Sequence, residues 1–137
     1  MTDVVTSEVA GKTEDTVVVQ RQVSHPLKNV WKVLMTDEGA EALLGPGAHL
    51  GDKGHTWIAA DGTRGVTRGF HPLEQIRFSW HAEEDAPATV VDLHLRAVDD
   101  DTTSLEIVHD HLYDGLDRDR LADHWNRALE RIDNDAL

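Results

Sequence analysis

His109 and His111 lie two residues apart, a spacing that in a β-strand puts both imidazoles on one face. Two neutral imidazoles side by side can bind a metal ion or polarise a ligand. A metal would need a third ligand. His94 is the nearest by strand pairing, but it alternates with Asp92 and Arg96 on a wet face and should point away. No metal is therefore predicted, and hydrogen-bonded core or rim histidines are the plainer expectation. Arg68 alternates with Val66 and Phe70, so it can face inward and pair with a carboxylate or enolate. The alternative is an edge-strand arginine reaching into solvent. Trp57, Phe70, Phe78, Trp80 and Trp125 supply large apolar surfaces that either line a cavity or fill it. Asp110 and Asp114 bracket the end of the last strand and could act as acid and base. Nothing marks them as buried, and solvated turn residues are expected. The chain has no Gly-x-Ser-x-Gly, no phosphate loop and no His-Glu-x-x-His.

These residues must be placed by the elements around them. Thr16 to Val23 is β-branched and reads as a strand, with Val17, Val19 and Val23 on the face shared by Arg21. After Ser24-His25-Pro26, a helix is predicted to about Thr36, because Leu27, Val30, Trp31 and Leu34 recur at helical spacing. Asp37 to Leu44 reads as a second short helix with acids in its first turn, ended by Gly45-Pro46-Gly47. The period then changes to two. Strands are predicted over His55–Ala60, Arg64–Phe70, Gln75–His81, Ala88–Val98 and Thr103–Leu112, separated by turns such as Asp61-Gly62 and Asp99-Asp100-Asp101. Ile76, Phe78 and Trp80 oppose Arg77 and Ser79; Val91, Leu93 and Leu95 oppose Asp92 and His94. One sheet face is thus apolar and one wet. Asp117 to about Asp133 is the strongest helix, with Leu121, Trp125, Ala128, Leu129 and Ile132 on one stripe.

The 137 residues carry 26 acids against 13 Lys and Arg, a formal net charge of −13. That balance argues against a nucleic-acid backbone as partner. With no cysteine, disulfides and thiolate metal sites are excluded. No apolar run approaches the roughly 20 residues of a membrane span, and no signal peptide opens the chain, so a cytoplasmic protein without membrane insertion is expected. Residues 1–15 are expected to be a mobile tail and residues 16–137 one domain. The economical arrangement is an α+β fold: a curved antiparallel sheet of six or seven strands wrapped around the last helix, with the first strand expected beside the last.

Ser24-His25-Pro26-Leu27-Lys28-Asn29-Val30-Trp31, the glycines at 51 and 54, Asp61-Gly62, Gly65, Pro72, Ile76-x-Phe78-x-Trp80, Leu105-x-Ile107-x-His109, and Trp125 with Leu129 form an ordered set. That set resembles the START-related helix-grip superfamily (SRPBCC), and more narrowly the branch of the activator of heat-shock protein 90 ATPase homologue. The family often has a Trp on or after its second helix. This chain has Leu43-Leu44-Gly45-Pro46 there, so its ligand mouth is expected to differ. The resemblance implies a cavity between sheet and last helix, and Trp57, Arg68, Phe70, Phe78, Trp80, His109, His111, Trp125 and Leu129 are its candidate lining. It implies binding of an apolar or amphipathic, lipid-like or polyketide-like small molecule, without a cofactor, by a monomer or homodimer. Two alternatives stand beside binding. A cyclase or hydrolase would need an inward polar pair, for which His109 with Arg68 is the candidate. A regulator of a chaperone ATPase is expected to carry a further amino-terminal domain, which 15 residues cannot supply.

Overall fold

The computed structural model describes residues 15–137. The expectation of a tail over residues 1–15 falls, except for Asp15, outside that range. Six strands form one antiparallel sheet: β1 (Val17–Val23), β2 (Thr56–Ile58), β3 (Arg64–His71), β4 (Gln75–Trp80), β5 (Thr89–Asp99) and β6 (Thr102–Asp110). Their order is β1-β6-β5-β4-β3-β2. The five strands from β2 onward are a meander of neighbours, and β1 returns beside β6, as expected. Two short helices, α1 (Leu27–Leu34) and α2 (Asp37–Leu44), follow β1, and the long helix α3 (Arg118–Arg131) closes the chain. The last residues, Ile132–Ala136, widen into a π-helical turn where the sequence pattern suggested a continuous helix to Asp133.

Each helix begins where a side chain or a proline supplies the end. Thr36 Oγ1 accepts the Gly39 amide at 3.1 Å at the start of α2. Asp117 accepts the amides of Asp119 and Arg120 at 3.0 and 3.2 Å at the start of α3. Such caps satisfy amides that have no partner within the helix. Pro26 sits just before α1 and its carbonyl accepts from Asn29 and Val30.

The alternation read from the sequence becomes two sheet faces. Ile76, Phe78, Trp80, Val91, Leu93, Leu95, Leu105, Ile107 and His109 are buried against the helices. Arg77, His94 and Glu106 lie on the other face, where Arg77 grips Asp92 through Nε–Oδ1 at 2.7 Å and Nη2–Oδ2 at 3.1 Å. The helices contribute Val30, Leu34, Leu43, Leu44, Leu121, Trp125, Ala128 and Leu129, so one core is shared by all three. At the sheet's open side, Arg21 of β1 pairs with Asp133 at 3.0 Å and ties the end of α3 to the edge strand. No helix among the described residues is long and apolar enough to cross a membrane.

Two departures from the expected strands matter for the site. β3 and β4 lose register between Thr67 and Gly69, so Arg68 is the extra residue of a β-bulge. Phe70 then pairs with Ile76 and shares its face, while Arg68 stays exposed on the outer side. β6 ends at Asp110 because His111 takes a left-handed backbone, φ 61°, with its amide held by Asp110 Oδ1 at 2.8 Å.

Trp57 of β2 pairs directly with Gly65 of β3, and its ring occupies the space where a side chain would stand. A Cβ at position 65 would lie 2.8 Å from that ring and would overlap the Ser79 carbonyl. Gly65→Ala is therefore expected to destabilise the fold by about 1–3 kcal/mol, the usual cost of overpacking. Urea unfolding monitored by tryptophan fluorescence measures it; an unchanged midpoint would contradict the close approach.

Candidate functional site

The concave side of the sheet is filled by aromatic rings. Trp57 stands edge-on to Phe78 at 5.8 Å between centroids, and Phe78 leans on Trp125 at 6.1 Å. Trp125, wholly buried on α3, also meets Trp80 at 6.2 Å and His109 at 5.7 Å. Such edge-to-face packing fills volume with defined geometry.

One polar chain runs through this apolar centre. Trp125 Nε1–H donates to His109 Nδ1 at 2.9 Å. On the other side of the ring, His109 Nε2 lies 2.7 Å from Thr89 Oγ1, and Thr89 Oγ1–H donates to the Trp80 carbonyl at 2.8 Å. The indole can only donate, so Nδ1 carries no proton. The threonine proton is already committed, so its oxygen accepts from Nε2–H. His109 is therefore neutral, in the Nε2–H tautomer, with both nitrogens used. Burial depresses its pKa to about 3; His124 and then Arg118 add to the effect, and Asp110 opposes it.

The expected lining residues divide. Trp57, Phe78, Trp80, His109, Trp125 and Leu129 come together in the core. Phe70 is half-buried at the end of β3. Arg68 and His111 do not join them. Arg68 is exposed because the bulge re-aims the strand, so it does not face inward. His111 is exposed because the pleat ends one residue before it, so two-residue spacing no longer means a shared face. The pairing of His109 with Arg68 proposed from the sequence is thereby broken. His94 pairs with Glu106 and Gln75 on the outer face, away from His109. Among the described residues no three His, Asp or Glu side chains are placed to hold a metal.

Between the first turns of α3 and the end of β4 lies a recess of about 360 Å³. Trp80, Ala82, Leu116 and Leu121 give it apolar walls; Thr63, Arg120 and His124 give it polar ones. Two of these residues carry buried nitrogens without a hydrogen-bond partner, Trp80 Nε1 and His124 Nε2; Trp57 Nε1, in the filled centre, is a third. An indole N–H left unpaired in a buried position costs about 1–3 kcal/mol. His124 stands edge-on to Trp125 at 4.6 Å and faces Trp80 at 6.0 Å. Its pKa is lowered chiefly by burial, with Asp61 opposing and Arg131 adding. Sequence reasoning missed His124. The signal was present, since Leu121, His124, Trp125 and Ala128 fall at 0, 3, 4 and 7, on the stripe that faces the sheet.

The neutral His109 makes stability depend on pH. In the unfolded chain a histidine takes up its proton near 6.5; in the fold it does so only near 3. The unfolded state binds more protons across that window, so this contribution is complete above about pH 6.5 and is lost as pH falls toward 3. The expected slope from this one group is up to about 1.4 kcal/mol per pH unit. His109→Gln keeps a donor and an acceptor but cannot be protonated. Denaturant unfolding between pH 4 and 7 should show a shallower slope for the variant, and identical slopes would contradict the assignment.

No protein-family model matches the chain, and no curated protein matches it. Similarity appears in three dimensions. DynU16, described as a putative protein in the dynemicin biosynthetic locus, superposes with a TM-score of 0.72 at 19% identity; the match covers 88% of this chain and 46% of that one. The chain thus spans less than half the length of that protein. The Aha1 dimer from Colwellia psychrerythraea gives 0.71 at 15% identity, covering 88% and 95%. An HSP90 activator from Plasmodium falciparum gives 0.71 at 14%, covering 86% and 93%. Proteins of such different descriptions share one scaffold, so the scaffold alone does not name a function. What the likeness shows is the architecture: a curved antiparallel sheet clasping a carboxy-terminal helix, the helix-grip fold.

Proposed function

We propose that this protein binds a small amphipathic molecule in the recess between α3 and the end of β4. The observation that carries this reading is the pair of unpartnered buried nitrogens, Trp80 Nε1 and His124 Nε2, on residues that line one apolar recess. Both nitrogens are closed off from solvent, so a ligand with an apolar body and a hydroxyl or carbonyl head would bond to them as the Trp80 and His124 rings turn toward the recess. The recess volume lies within the usual range for small-molecule sites. The centre of the grip is filled by Trp57, Phe78 and Trp125, so the ligand is expected beside the aromatic cluster, with Trp80 and His124 forming its inner wall. The description of DynU16 as a product of a biosynthetic locus supports a small molecule as the kind of partner.

2-Naphthol serves as a probe because it pairs a flat apolar body with one hydroxyl; naphthalene is the matched control. Calorimetric titration should show 2-naphthol binding at least roughly tenfold more tightly than naphthalene, the worth of about one satisfied hydrogen bond. Trp80→Phe keeps most of the ring and removes only the N–H. It should leave the apoprotein about as stable, because an unpaired donor is lost, and should reduce the preference for 2-naphthol over naphthalene. Equal affinities for the two probes, or an unchanged preference in Trp80→Phe and His124→Leu, would overturn the reading.

A further inference from the structure

The outer face of the sheet carries a second concavity, of about 610 Å³, at the β3–β4 end. Lys53, Arg68, His71 and Arg77 line it together with Phe70 and Gln75. The chain has 26 acids and 13 Lys and Arg, yet this concavity gathers three of those 13 and is lined by no acid. Its charge is opposite in sign to that of the molecule.

The cations are placed by specific features of the fold. The bulge between Thr67 and Gly69 turns Arg68 outward. The loop before β2 is tied to β3 by Gly54 N–H to the Thr67 carbonyl at 2.7 Å and Thr67 N–H to the His55 carbonyl at 2.9 Å, which sets Lys53 beside Arg68. Arg77 stands opposite Gly69 and is fixed by its two contacts with Asp92, a carboxylate that also accepts from Gln75 Nε2 at 2.7 Å. Asp92 is thus committed, while Arg77 Nη1 has no partner among the described residues. The side chains of Lys53 and Arg68 make no ion pair among the described residues. A guanidinium held in place loses little freedom when it meets an oxyanion.

We propose that this concavity is a binding site for a small organic dianion, a phosphomonoester, its phosphoryl group between Arg68 and Lys53. The net charge of −13 selects the size of the partner. A polyanion such as an acidic protein segment or a nucleic acid would be repelled by the whole molecule. A small dianion meets mainly the local field, because more distant charges are screened beyond about 8 Å at physiological salt. The site is on the opposite sheet face from the aromatic cluster and does not depend on the recess beside α3.

Phenyl phosphate is the probe, with benzoate and phenol as single-charge and neutral controls. In an amide NMR titration of the full chain, phenyl phosphate should shift resonances of residues 53–55, 68–71 and 77. It should bind more tightly than benzoate, and phenol should leave those resonances in place. Arg68→Gln, on the surface, should keep the fold and weaken phenyl phosphate by roughly fivefold or more. Arg127→Gln, which removes a cation of α3 paired with Asp123, should not change the affinity. Shifts spread over all basic residues, equal affinity for benzoate, or equal loss in Arg68→Gln and Arg127→Gln would overturn the proposal.

Discussion

The hydrogen bond from Trp125 to His109 is the constraint on which the arrangement of helix and sheet depends. Apolar burial alone is non-directional and would let α3 slide or rotate over the concave face by small amounts. A buried indole N–H with one available acceptor does not allow that, since any shift leaves it unpaired. The acceptor is fixed in turn, because His109 is bound on its far side to Thr89, and Thr89 to the β4 backbone. The chain of bonds therefore links α3, β6, β5 and β4 through side chains, across strands that the backbone ladder already joins. The Arg21–Asp133 pair adds a second tie at the far end of the helix.

Filling the centre in this way has a functional consequence. A helix held in a curved sheet leaves space between them, and this chain occupies it with tryptophan and phenylalanine rings. One space beside the grip lies at the start of α3, where the polar chain ends and two nitrogens are left unsatisfied. A fully apolar wall would have been cheaper to bury. The indole N–H and the imidazole kept there are the local inconsistency on which the proposed site rests. The outer sheet face follows a different logic, with charge gathered against the overall sign and held in position by a bulge.

Much of this architecture was legible in the sequence because its signals are periodic. The two-residue alternation around Phe78 and Leu93, and the stripe through Leu121 and Trp125, each leave one solution for which face is buried. The place of β1 beside β6 was expected only from the need for the first strand to join the sheet, and their pairing bears it out. The site was less legible. Arg68 and His111 were misplaced for one reason: strict alternation fails where a bulge inserts a residue or a left-handed residue ends the pleat, and neither has a strong signature. His124 was overlooked because a histidine on a mixed helix looks like part of the wet face. His109 was recognised as inward, but its role as a satisfied bridge depends on Thr89 and Trp125, 20 and 16 residues away.

A neutral His109 in the Nε2–H tautomer joins the helix to the sheet. Long-range proton–nitrogen correlation of the histidine side chains reads that state directly. The account predicts one histidine with an unprotonated Nδ1, a protonated Nε2, and no titration between pH 8 and pH 4. A His109 that bears its proton on Nδ1, or that titrates near the ordinary histidine value, would contradict it.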